Sequence, residues 1–135
     1  MLAYRHAFHA GNHADVLKHL VLYQVLDHMN QKDKGWRYVD THAGAGGYSL
    51  EGDYARKKAE FEQGVGRLLA RKDLPAPMQE LVDLVHAFND GKAIKQYPGS
   101  PAVAQAMMRP QDQLRLHELH PTDFKILASY LGDVR

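Results

Sequence analysis

The stretch Asp40-Thr41-His42-Ala43-Gly44-Ala45-Gly46-Gly47-Tyr48 constrains this chain more than any other. It follows Trp36-Arg37-Tyr38-Val39, an aromatic and β-branched run that reads as a strand over residues 36–40. Glycines at a strand-to-helix turn let the chain turn tightly, let a ligand approach the backbone, and let the next helix pack closely. Gly44-x-Gly46-Gly47 is only part of the dinucleotide fingerprint, because Ser49 stands where the last glycine would be. On spacing alone, a plain turn and a ligand loop both remain open. Asp40 ends the strand, the position at which open α/β sheets bind ligands.

The flanking segments place that loop in an alternating pattern. From Ala14 to about Asn30 the sequence predicts a helix capped by Asn12 or His13, with Ala14, Leu17, Leu20, Val21 and Val25 as its apolar face. Residues 54–72 read as a charged helix with a weak point at Gly64 and Gly66, and Pro75 and Pro77 mark a break. A second amphipathic helix follows over 78–88, with Met78, Leu81, Val82 and Val85 on one side. "YPGSP" at 97–101 reads as a tight connection into a helix with Pro101 in its first turn. Residues 114–118 alternate as a strand, and a last helix starts at Thr122 as cap, with Phe124, Leu127 and Leu131 inward. Strands separated by helices predict an α/β fold with a parallel sheet. Two strands make a poor sheet, and a parallel strand needs cover on both faces.

A second acid, Glu118, ends the second strand, where a nucleoside-binding α/β fold places a carboxylate against ribose hydroxyls. The usual loop-to-acid spacing is about 20 residues. The excess here, on the order of 50 residues against that spacing, coincides with the helical pair and predicts an inserted subdomain over 50–95. Alone, Glu118 reads as a solvated strand-end charge.

A formal net charge of +1 argues against a globally cationic nucleic-acid binder and leaves a local patch open. There is no cysteine, which excludes disulfides and thiolate metal sites. No apolar window reaches the roughly 20 residues of a membrane span, and the N-terminus carries no signal core, so the expectation is a soluble, cytoplasmic protein. Five of the nine histidines, His6, His9, His13, His19 and His28, fall in the first 28 residues. Gly11 breaks the ligand spacing of His6, His9 and His13, and no metal site is predicted. Lys18 and His19 read as a solvated helix edge, whereas His42 lies inside the glycine loop. Tyr4, Arg5, His6 and Phe8 combine aromatic and cationic groups suited to bases and phosphates, or simply to packing.

"YRHAFHAGNHADVLKH" at 4–19, "DTHAGAGGY" at 40–48, "YPGSP" at 97–101 and "LHELHP" at 116–121 closely resemble the N-terminal half of the 23S ribosomal RNA adenine-N6 methyltransferases of the J type. That family is also described as involved in the use of external DNA. The resemblance covers essentially the whole chain. It implies a Rossmann-like methyltransferase fold that uses S-adenosylmethionine, with residues 1–49 and 96–135 as the N-terminal part of the main domain and 50–95 as an inserted helical subdomain. It implies cofactor contacts from His19, His42, Gly44, Gly46, Ser100 and Glu118, with Glu118 on the ribose hydroxyls and His42 near the methionine end. Tyr4, His6 and Lys18 fall on the substrate side, facing 23S ribosomal RNA. The family's Asp-Pro-Pro-Tyr motif, which holds and stacks the target base, does not occur in these residues, so no catalytic residue is expected within the chain. The expectation is a cofactor-binding part that is inactive alone and prone to self-association. The alternative is a non-catalytic nucleotide- or RNA-binding remnant or a DNA-utilisation protein.

Overall fold

The computed structural model describes residues 6–51 and 55–132. After a 3-10 turn at His6–Phe8, helix α1 runs His13–Met29 and strand β1 Arg37–Asp40. Strand β2 is Gly47–Ser49, and helices α2, α3 and α4 span Ala55–Gln63, Gly66–Leu69 and Ala76–Phe88. Strand β3 (Gln96–Pro98), helix α5 (Ser100–Met107), strand β4 (Gln113–Leu116) and helix α6 (Pro121–Leu131) complete the order. The chain is a mixed helix-and-strand protein, as the alternating pattern predicts.

β1 and β4 pair in parallel, with Asp40 opposite Leu116. Backbone bonds extend the pairing past the strand ends: His117 N–H donates to the Asp40 carbonyl at 2.9 Å and Ala43 N–H to the His117 carbonyl at 3.0 Å. This extension brings the glycine loop and Glu118 together. Two further strands went unread in the sequence. β2 and β3 pair antiparallel, Tyr48 opposite Tyr97, within what read as loop and connection. Each is only three residues long and carries glycine or proline, so neither alternation nor β-propensity could single it out.

Helix α1 turns the opposite way from its apolar pattern. Leu17, Val21 and Val25 are 63%, 55% and 49% exposed, while Asp15, Val16, His19 and Leu26 are buried. The helix is apolar on two sides, and the side that packs against α4 and α5 is the one with a hydrogen-bonded acid and histidine. The solvated-edge expectation for His19 is therefore overturned. Gly64 and Gly66 do break the charged helix, into α2 and α3. Helix α6 buries Leu127 and Leu131 but leaves Phe124 exposed, and its cap is His120, not Thr122: His120 Nδ1 accepts from Asp123 N–H.

The largest core cluster, Ala10, Val16, Ala45, Tyr48, Val65, Leu81, Val85 and Tyr97, joins the turn before α1, the glycine loop and the helices of 55–88. A second, Leu26, Trp36, Ala104 and Leu114, packs α1 and α5 on the parallel pair. Asp112 locks the approach to that pair. It accepts from Trp36 N–H at 2.9 Å and Arg109 N–H at 2.8 Å, and the Arg109 side chain caps the carbonyls of Lys32 and Lys34. Among the described residues, no helix is long and apolar enough to cross a membrane.

Candidate functional site

A cleft of about 800 Å³ opens at the carboxyl ends of β1 and β4. Its walls bring together His6, Lys18, His42, Gly44, Ser100 and Glu118, from five separate stretches of chain. The N-termini of α1, α5 and α6 all open on it, through Asn12, Gly99 and His120. Helix N-termini carry partial positive charge and free N–H groups, so this convergence favours anionic ligand groups.

Glu118 is held by the backbone. Its Oε1 accepts from Gly44 N–H at 2.8 Å and its Oε2 from His120 N–H at 2.7 Å. Each oxygen keeps a further acceptor site. Gly44 has φ +74, and a Cβ there would collide with the Tyr48 hydroxyl, so only glycine suits the position. That hydroxyl accepts from Ala45 N–H at 3.1 Å, and burial pushes the Tyr48 phenol up to about 12. Gly46 does not line the cleft. Its carbonyl accepts from Gly99 N–H at 2.9 Å, which ties the glycine loop to the start of α5.

His42 sits exposed on the rim, its N–H donating to Asp40 Oδ1 at 3.0 Å. The other Asp40 oxygen accepts from the Tyr38 hydroxyl at 2.7 Å. Burial, then the Asp40 carboxylate, raises the Tyr38 phenol well above its usual range. His19 does not reach the cleft directly. It is 1% exposed and lies behind Ser100, with Nε2 at 3.0 Å from Ser100 Oγ and Nδ1 at 2.8 Å from the Tyr97 hydroxyl. Burial pushes its imidazole down to about 4, so it is neutral near pH 7.

The sequence reading passed over Asp15. Its carboxylate is buried, with Oδ2 in contact with His6 Nε2 at 2.7 Å and accepting from Gly11 N–H at 3.0 Å. Lys18 Nζ stands 3.1 Å from Oδ1. Burial opposes its charge, but the His6 hydrogen bond and the His19, His6 and Lys18 charges prevail and hold it well below the usual carboxylate range. The available signal was spacing: Asp15, Lys18 and His19 are one turn apart and share a helix face. Tyr4 lies outside the described residues. Among those described, no three histidine or acidic side chains are placed to hold a metal.

In this mixed helix-and-strand protein, polar groups and helix N-termini gather in a cleft at the ends of a parallel strand pair. Residues 33–135 match the profile of the family described as "Ribosomal RNA large subunit methyltransferase D, RlmJ", and the chain belongs to that family. It is 46% identical over 129 residues to the Escherichia coli protein named "Ribosomal RNA large subunit methyltransferase J", covering 96% of this chain and 46% of that protein. The Haemophilus influenzae protein of the same name is 45% identical over 134 residues, with 98% and 48% covered. A crystal structure of a Legionella pneumophila protein matches with a TM-score of 0.80 at 38% identity, covering 88% of this chain and 43% of the other. The chain thus spans about half the length of the curated relatives it matches.

Proposed function

We propose that this chain supplies the cofactor-binding part of an S-adenosylmethionine-dependent enzyme that methylates adenine N6 of 23S ribosomal RNA, in the cytoplasm. The names of its relatives support methylation of ribosomal RNA. The observation that carries the cofactor reading is Glu118, a strand-end carboxylate pinned by two backbone N–H groups with acceptor sites left over for a ribose diol. A Rossmann-like reading is supported by the parallel β1–β4 pair with its ligand cleft at the strand ends. An inserted unit over 50–95 is supported by β2 and β3, which pair where the chain departs and returns.

S-adenosylmethionine fits the donor set. Glu118 would take the ribose hydroxyls, and Ser100 and His42 the amino-acid end, with His19 acting through Ser100. Gly44 would let the ligand lie against the backbone, and Gly46 would hold the loop to α5. When bound, this cofactor supplies a methyl group on a sulfonium, already activated for transfer. The protein then has to orient donor and acceptor, and positioning can supply most of the rate. Tyr4, His6 and Lys18 would face the RNA. The family's Asp-Pro-Pro-Tyr motif does not occur in these residues, so binding without turnover is expected of the chain alone.

Self-association is a second part of the reading. Among the described residues β1 pairs on one edge, and Val39, Leu17, Val21 and Val25 leave apolar surface uncovered. Calorimetric titration with S-adenosylhomocysteine tests the cofactor site. Saturable binding that weakens in His42→Ala and Glu118→Ala is expected. A folded chain that gives no heat would overturn the reading.

A further inference from the structure

The polar groups behind the cleft form two sets, one around Asp40 and one around His19. A carboxylate only accepts, so the Tyr38 hydroxyl gives its proton to Asp40. Ser100 Oγ lies 3.0 Å from His19 Nε2, placed to accept from it. That requires Nε2 to carry the imidazole proton, while Nδ1 accepts from the Tyr97 hydroxyl. At the inner end, Asp15 Oδ1 stands 4.0 Å from the same Nε2. This oxygen is buried, meets no hydrogen-bond geometry, and is ion-paired with Lys18 Nζ at 3.1 Å. Facing an N–H it attracts, whereas facing a bare nitrogen lone pair it repels. The other titratable side chains beside His19 that act on it are Lys18 and His6, both of which contact Asp15 themselves.

We propose that Asp15 is a positioning residue of the cofactor subsite: it holds His19 as the Nε2–H tautomer, so that Ser100 offers its hydroxyl hydrogen to an anionic ligand group, the carboxylate of an amino-acid moiety. In the other tautomer Ser100 would donate inward to Nε2 and turn its lone pairs on the cleft, repelling a carboxylate. On entry of the ligand, the Ser100 hydrogen points to the carboxylate, and the Nε2–H bond to Oγ stays in place. The proposal rests on the cofactor-site reading for its ligand, but the tautomer is a property of the free chain.

The test begins with long-range proton–nitrogen NMR of the histidine-labelled chain at neutral pH, without ligand. His19 is expected with Nε2 protonated and Nδ1 bare, and the opposite pattern overturns the proposal. In Asp15→Asn the Nδ1–H form gains population, and affinity for S-adenosylhomocysteine falls about tenfold, the size of one hydrogen bond to a charged group. In a Ser100→Ala background the same change costs less than twofold. An equal cost in both backgrounds assigns Asp15 a merely structural role and overturns the proposal. Tyr38→Phe removes the hydroxyl that bonds Asp40 and leaves Asp15 untouched, and it is expected to leave His19 as Nε2–H, which carries the test even where Asp15→Asn does not fold. A tautomer lost in Tyr38→Phe overturns the assignment to Asp15. A wild-type chain with the expected tautomer but no ligand binding overturns the cofactor reading and leaves the tautomer intact.

Discussion

Replacing Glu118 with glutamine separates the two duties of that carboxylate. Each Glu118 oxygen takes one backbone N–H, from Gly44 at 2.8 Å and His120 at 2.7 Å, and holds a further acceptor site toward the cleft. A glutamine of nearly the same shape has one acceptor oxygen, and its amide group points donors at whichever backbone N–H it faces. The lost tie between the glycine loop and the start of α6 should cost about 1 kcal/mol of stability, the net worth of an ordinary hydrogen bond. The ligand loses more. A hydroxyl donating to a charged acceptor is worth about 1.5–3 kcal/mol, so affinity for S-adenosylhomocysteine should fall by about 10- to 150-fold. Calorimetric titration and thermal unfolding on the same preparation read both effects. A Glu118→Gln chain that melts lower but binds within twofold of wild type would show that the carboxylate only braces the loop, and would refute the ribose assignment.

Other perturbations test the fold beneath the site. Gly44→Ala forces a Cβ into the left-handed region and against the Tyr48 hydroxyl, and should cost at least about 1–2 kcal/mol in chemical denaturation. An unchanged midpoint would show the loop conformation to be wrong. His19 is pushed down to about 4 by burial, so the unfolded chain binds its proton more readily, and stability should fall as pH drops from about 6.5 toward 4. The Asp112 carboxyl is drawn down to about 2, chiefly by the Arg109 hydrogen bond. Its contribution is complete above the unfolded value near 4 and lost as pH falls through about 2; Asp112→Asn should flatten that acid limb of the stability profile. The chain should sediment as concentration-dependent oligomers, reduced by Val21→Glu with Val25→Glu; a monodisperse wild-type monomer at high concentration would contradict the uncovered-face reading.

The sequence singled out residues that line the cleft better than it disclosed the packing. Gly44, His42, Ser100 and Glu118 belong to short blocks whose residue order is specific, and the structure gathers them in one cleft although they are scattered along the chain. Periodicity failed at α1 because Leu17, Val21 and Val25 make as good a stripe as the buried face does. Which stripe packs is decided by tertiary partners, and here Tyr97 and Ser100 draw in His19. β2 and β3 escaped notice because three residues give no alternation to count. The His120 cap was hidden behind Pro121-Thr122, since threonine is the commoner cap but histidine Nδ1 can accept just as well. Asp15 looked like an ordinary first-turn acid, and only packing shows it to be the buried partner of His6, Lys18 and His19.

The central claim is that the cleft at the ends of β1 and β4 receives S-adenosylmethionine. Amide chemical-shift mapping of the labelled chain with S-adenosylhomocysteine tests it most directly. The largest shifts should fall on Gly44, Ser100, Glu118 and His120, with the groove lined by His13, Arg67 and Arg71 left unmoved. Saturable shifts centred on that second groove, or none in a folded chain, would contradict it.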